Sequence, residues 1–329
     1  MTVDTVRSAH EWTQLLDQPG STVFHRWDWL TWIASRLGVR FVPLKVLHQG
    51  IPVGVAPILV RHRWGIASAN IVPFPYLGPV VPAELVAATT REMMRWARRH
   101  RVVSMDSCLH PEARVPDGVL CDQGLAEERV DTYLIDLTGR SESELFARLG
   151  GDARTAVRRS VKRGVSLRTS TPEDLREVLP AVHLESLGEQ APYAYVLGDA
   201  LAEGTLPVPA RCATALLDGV PVGVSITLGG TDTAVGWLGG VFHAAQASQA
   251  NAALVWDAIA WAAAEGYATL DMCGAPDPGI AAYKRKFRPR VETHLVGRWQ
   301  TPGVVALRRL GARHLTLDQP GYSPRIRSS

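Results

Sequence analysis

Lysine is nearly missing from this chain. Of 35 basic residues only four are lysines, Lys45, Lys162, Lys284 and Lys286, and two of these share the tripeptide Lys284-Arg285-Lys286. Cysteine is as sparse: Cys108, Cys121, Cys212 and Cys273 show no CxxC or Cys/His ligand spacing, so neither zinc nor a disulfide framework is indicated. Apolar runs such as IPVGVAPILV reach about half a membrane span. The opening MTVDTVRSAHEW lacks the apolar segment of a secretory signal, and a soluble, cytoplasmic protein is expected. There is no GxxxxGK[ST] loop, and no GxGxxG opens a helix. A net charge of +3 excludes a uniformly basic surface, so a nucleic-acid partner would have to meet local patches.

What is present is a packed, globular composition, with 46% hydrophobic and 20% charged residues over 329 positions, enough for two domains. The chain also resembles itself. LHQGIPVGV at 47–55 matches LLDGVPVGV at 216–224, each reading as a strand, a tight turn and a returning strand. Downstream, WARRHRVVSMDSC at 96–108 matches WAAAEGYATLDMC at 261–273, aligning Trp96 with Trp261, Asp106 with Asp271 and Cys108 with Cys273. Two matches in the same order imply duplication of one α/β unit. A helix from near Asn251 carries Leu254, Val255, Ala258, Ile259 and Ala262 at helical spacing. Its counterpart, TTREMMRWARRHR, sets Met94 and Ala97 against Arg91, Arg95, Arg98 and Arg99. Between the halves, helices capped by Ser141 or Ser143 break at Gly150-Gly151. The expected domains are 1–138 and 139–302, with a basic tail over 303–329 that ends in a disordered SPRIRSS.

Three features bear on chemistry. Lys284, Lys286, Arg288 and Arg290 surround Phe287. They read either as a solvated edge anchored by Tyr283 and Phe287, or as a lysine aimed into a cleft with arginines on phosphates. A compact ammonium suits a single developing oxyanion better than a planar guanidinium does. Arg154, Arg158 and Lys162 recur at helical spacing on one face, opposite Ala153, Ala156, Val157 and Val161. Unpaired like charges in register point to an anionic partner, and a solvated face is the alternative. FHRWDWLTW offers His25 as a general base or a structural donor, and Trp29 as core or cleft wall. Tyr76, in the loop FPYLGP, lines a cleft or packs inside. Asp271 ends a buried strand, and its twin Asp106 makes a shared structural role as good a reading as catalysis. The turn Gln246–Ala250 before the second-half helix has no glycine to bring amides close to a coenzyme A pyrophosphate.

Together these segments resemble the FemABX family of tandem acetyltransferase-like proteins, which includes aminoacyl-tRNA-dependent peptidyltransferases. STVFHRWDWLTWIASRLG is similar to the family's opening, VGVAPILVRHRWG and PYLGPVV to its first sheet, and DARTAVRRSVKRGVSLR to its R-x-x-I-R-x-A-x-K-x-G-V stretch. YKRKF matches its Phe-Lys-x-x-Phe-Gly motif, with Tyr283 for the first Phe and Lys284 for the lysine. The resemblance spans nearly the whole chain. It implies an α/β (α+β) fold of two tandem GNAT-like domains, without the coiled-coil insertion of some members.

The resemblance also implies aminoacyl-tRNA as co-substrate, a small-molecule or peptide amine as acceptor, and no resident cofactor or metal. Lys284 would lie beside the ester carbonyl. His25, Trp29, Tyr76, Asp271, Tyr283 and Phe287 would line the substrate, and Arg154, Arg158, Lys162, Lys286 and Arg288 would meet tRNA phosphates. Two departures matter. Ile33 stands where the peptidoglycan-ligating members carry a phosphate-holding lysine, and Pro82 where they carry an acid after the Gly-Pro loop. A tailoring enzyme of specialised metabolism, such as antibiotic biosynthesis, is therefore expected. An acyl-CoA N-acyltransferase, a peptidoglycan-bridge aminoacyltransferase and a non-catalytic RNA- or polysaccharide-associated module remain alternatives.

Overall fold

The computed structural model describes residues 1–63, 65–187, 193–275 and 278–309. The SPRIRSS end and most of the basic tail lie outside them; the tail's first part is helical, α10 (Pro302–Arg309). Two compact units divide the chain: Met1–Val130 together with the chain from Thr293 onward, and Asp131–Glu292. This differs from a single break at 138/139. The chain leaves the first unit inside strand β6 (Ala126–Asp136) and returns inside β12 (Arg290–Gln300). Both passages lie within regular strands, so no linker composition marks them.

The first unit runs β1 (Thr2–Thr5), α1 (Ala9–Gln14), α2 (Trp27–Leu37), β2 (Arg40–His48), β3 (Ile51–Arg63), β4 (Ile66–Ala69), α3 (Val86–Arg99) and β5 (Val102–Cys108). Its strands lie in the order β1-β2-β3-β4-β5-β12, antiparallel except for the β4–β5 pair joined through α3. The second unit holds α4 (Glu142–Arg148), α5 (Gly151–Lys162), β7 (Val165–Thr169), α6 (Leu179–Leu187), α7 (Ala194–Ala202), β8 (Ala210–Leu217), β9 (Val220–Gly229), β10 (Thr233–Val241), α8 (Ala250–Ala264), β11 (Thr269–Gly274) and α9 (Pro278–Arg285). Its order β7-β8-β9-β10-β11-β6 repeats the same pattern, with β10–β11 as the parallel pair joined through α8.

The duplication extends to local irregularities. Both hairpins turn on two left-handed residues, Gln49-Gly50 (φ 52° and 82°) and Asp218-Gly219 (φ 51° and 83°). Two consecutive positive φ angles match the twist of the flanking strands and favour glycine at the second place. Each hairpin then slips register at the same point, between Val46 and Leu47 and between Ala215 and Leu216.

Alternation and helical spacing account for the cores. In α3, Val86, Met93, Met94 and Ala97 are buried and the arginines face water. In α8, a helix of mostly alanine, Ala258, Ile259 and Ala262 pack on Tyr133, Ile135 and Leu270. Near the start of the second unit, Ser141 caps α4 in a reciprocal box with Glu144. Val161, expected to face inward, is 70% exposed. The buried stripe of α5 is Ala153, Val157 and Ser160, and the next position turns about 100° away from it.

Candidate functional site

In the second unit, the two parallel strands stop pairing early. β10 and β11 are in register only over Thr233–Val235 and Thr269–Asp271. Past that point β10 bulges around the buried Trp237, and β11 slips between Asp271 and Gly274. A strand end that loses a neighbour leaves carbonyls in need of donors. Lys284 supplies them from α9: its Nζ donates to Met272 O (2.6 Å), Cys273 O (3.1 Å) and Gly274 O (2.6 Å). An ammonium has three donors and all are used here, in a convergent arrangement that a planar guanidinium cannot copy.

The rest of the kink is held by Asp271. Its Oδ1 accepts the Cys273 N–H at 2.7 Å, which fixes Cys273 in the left-handed region (φ 61°), and accepts the Thr132 hydroxyl at 2.6 Å. Burial pulls the Lys284 pKa below that of an ordinary lysine, against the opposing influence of Cys273 and Asp271. The Tyr133 ring lies 5.7 Å from the ammonium. Burial raises the Cys273 thiol well above its usual range, and Asp271 adds to the shift, so it is no thiolate nucleophile. Tyr283, adjacent on α9, buries its hydroxyl with no partner among the described residues, and burial raises its pKa as well.

The structure thus gathers Lys284, Asp271, Tyr283 and Phe287 in one unit. The buried Phe287 stacks edge-on against Tyr283 at 5.5 Å. His25, Trp29 and Tyr76 belong to the first unit, where all three are buried. His25 caps a turn, its Nδ1 accepting the Thr22 N–H at 3.1 Å. Burial, assisted by His110, lowers its pKa to about 3, so it is a neutral structural group. Trp29 packs among Phe24, Phe74 and Trp32, and Tyr76 between the rings of His110 and His294.

Among the residues matched to tRNA phosphates, Arg154 donates to the carbonyls of Ala147 and Leu149 and so fastens α4 to α5. Arg158 lies over the Phe146 ring at 5.2 Å. Lys162, Lys286 and Arg288 are exposed. The twin aspartates have diverged: Asp106 makes a bidentate ion pair with Arg298, directly opposite on β12, at 2.9 and 2.7 Å. Sequence reasoning found both aspartates but neither partner, because Thr132 and Arg298 are 139 and 192 residues away from them. It also missed Glu185 as an anchor of the turn after β10, where it accepts the His243 N–H at 2.9 Å.

That turn leads into α8, and several of its amides are bonded within it. The Ala250 N–H donates to Ser248 Oγ at 3.2 Å, and those of Ala252 and Ala253 to Gln249 O. Arg163 donates to Ala247 O, and Gln249 holds the left-handed conformation (φ 66°) in place of a glycine.

Residues 151–285 match the family model of the acetyltransferase (GNAT) domain. Among solved structures, FemX aligns with a TM-score of 0.66 at 13% identity, covering 94% of this chain and 99% of FemX. A tandem GNAT protein from the clavulanic acid biosynthesis pathway aligns at 0.56 and 12%, covering 91% and 98%. L-PGS from Bacillus licheniformis aligns at 0.55 and 15%, covering 91% and 95%. The fold is a FemABX-like tandem GNAT fold. No curated protein matches the chain. In this FemABX-like frame the splayed β10–β11 pair lies inside the matched segment, and Lys284 at its end. No helix among the described residues is long and apolar enough to cross a membrane.

Proposed function

We propose that the protein is an acyltransferase that moves an aminoacyl group from aminoacyl-tRNA to the amine of a small molecule or peptide, forming an amide. The observation that carries this reading is the ammonium of Lys284, buried at the parted end of β11. The neutral acceptor amine attacks the ester carbonyl, a C–N bond forms, and an oxyanion develops. Collapse breaks the ester C–O bond, and the ribose hydroxyl leaves with the proton the amine gives up. A cation held in place before the reaction lowers the energy of that oxyanion without reorganising. The longest of its three bonds, 3.1 Å to Cys273 O, is the one exchanged for the oxyanion. Bringing the two substrates together supplies much of the remaining acceleration.

The bonded amides of Ala250, Ala252 and Ala253 at the start of α8 favour this donor over coenzyme A, whose pyrophosphate would compete for them. The match to the acetyltransferase domain keeps an acyl-CoA donor as the second reading. On the acceptor side, Ile33 is fully buried in α2, which favours a specialised-metabolite amine over a charged cell-wall precursor.

The test is filter retention of charged tRNA and transfer of its labelled amino acid, with coenzyme A as competitor, for wild type and Lys284→Met. The proposal expects salt-sensitive retention that coenzyme A does not disturb, and transfer reduced about 100-fold or more in the variant, since one oxyanion donor is worth roughly that much. Coenzyme A binding with no tRNA retained would overturn it.

A further inference from the structure

A cavity of about 820 Å³ opens in the second unit, with Phe287, three residues after Lys284, in its lining. Its floor includes Ile135 and Phe287, and Arg148, Arg288 and Arg290 stand around it. The only acid among these lining residues, Asp136, is already held by Arg140 at 2.7 Å, which keeps its carboxyl well below the usual range. Arg290 pairs with Glu292, but Arg148 and Arg288 have no acidic partner among the described residues. Two unpaired guanidiniums and a third on the rim of one concavity repel each other and gain from an anion.

The cavity's position ties it to the donor. Tyr133, whose ring lies beneath Lys284 and Arg285, and Ile135 on the cavity floor alternate onto the same face of β6. Two residues along a strand separate them by about 7 Å. The short connection from α9 carries Arg288 and leads to Arg290 at the start of β12, and it is pinned where the Gly150 N–H donates to Lys286 O at 3.1 Å. A Cβ on Gly150 would overlap that carbonyl. At the turn before α8, by contrast, the amides of Ala250, Ala252 and Ala253 are already bonded within the turn.

We infer that the Arg148–Arg288–Arg290 cavity binds the phosphate esters of the acyl donor, in place of the turn before α8. The inference rests on the acyl-transfer reading but not on which donor is used. Phosphodiesters of a single-stranded RNA 3′ end and the phosphates of coenzyme A share the chemistry, and arginine forks suit both.

The test compares the full-length wild type with Arg148→Ala/Arg288→Asn; asparagine tolerates the left-handed backbone at 288 (φ 54°). An unchanged melting temperature shows that the variant folds. The probes are intact tRNA, the same tRNA without its single-stranded 3′ end, and coenzyme A. The inference expects the double variant to bind the preferred probe at least tenfold more weakly. For RNA the salt dependence should flatten by about 1.4 in log–log slope, two single-strand phosphates' worth, and only with the 3′ end present. If coenzyme A is instead the probe that wild type binds and the variant loses, the cavity stands and the tRNA reading falls. Equal binding of every probe by wild type and variant overturns the cavity, as does a wild type that binds none of them. Transfer from charged tRNA that is unaffected in the variant also overturns the cavity while leaving the tRNA reading intact.

Discussion

Lys284 and His25 show how one side chain's surroundings decide what it can do. Burial works against the charge on Lys284 and lowers its pKa, while three carbonyls and a nearby aspartate favour the charged form. For His25 burial and the nearby His110 outweigh a backbone hydrogen bond to Gly78, and its pKa falls to about 3. His183, in α6, is likewise lowered by burial to about 4. Both folded pKa values lie below the unfolded value of about 6.5, so above that pH neither histidine affects stability. As the pH falls through 6.5 the unfolded chain takes up protons that the folded one refuses, and stability is lost until the folded pKa is reached. By pH 5 each histidine costs about 2 kcal/mol. Melting temperatures between pH 7.5 and 5 should fall steeply, and His183→Gln should flatten part of that slope. A slope identical in the variant would remove His183 from the account.

At the scale of elements, the informative feature is the pair of strands that part. The repeat in the sequence located β8, β9, α8, β11 and the Asp-x-Cys end, because those residues were copied, the hairpin with its register slip. The resemblance of YKRKF to a family motif located Lys284. What stayed hidden was the way the end of β11 is closed. Thr132, Arg298 and Glu185 reach their partners across long separations, and no period or motif records such pairings. The cation face read from Arg154 and Arg158 was real in spacing, but their guanidiniums serve α4 and Phe146, which spacing alone does not reveal. Thr132→Val tests the closure: it keeps the volume and removes the hydroxyl bonded to the buried Asp271 carboxylate. A loss of about 2 kcal/mol in chemical unfolding is expected, the usual worth of a hydrogen bond to a charged group. A neutral outcome would mean that the Cys273 amide and Lys284 suffice to hold the kink.

For the molecule as a whole, each unit was foreseeable, but the exchange of strands was not. Composition and length indicated two domains, and the resemblance named their type. The passages fall inside the regular strands β6 and β12 rather than in a loop, so the boundary read from sequence fell at 138/139. The contacts give a sharper expectation. Segment 131–292 has β7–β11 and the part of β6 that pairs with β11, and should fold alone, with cooperative melting. Segment 1–130 lacks β12, leaving the edge of β5 and the acid Asp106 without Arg298. It should be unfolded or aggregate, and fusing residues 293–309 to it should restore a cooperative transition. A stable, soluble 1–130 would contradict the division.

That discontinuity has a consequence for synthesis. The ribosome delivers the first unit's residues early but withholds its last strand until residue 300 has emerged. At about 5–20 residues per second, the 1–130 segment waits roughly ten to thirty seconds with one edge open, while 131–292 is completed in between. The half that is translated second is therefore the half that matures first, and the nascent N-terminal half is the stretch most in need of a chaperone.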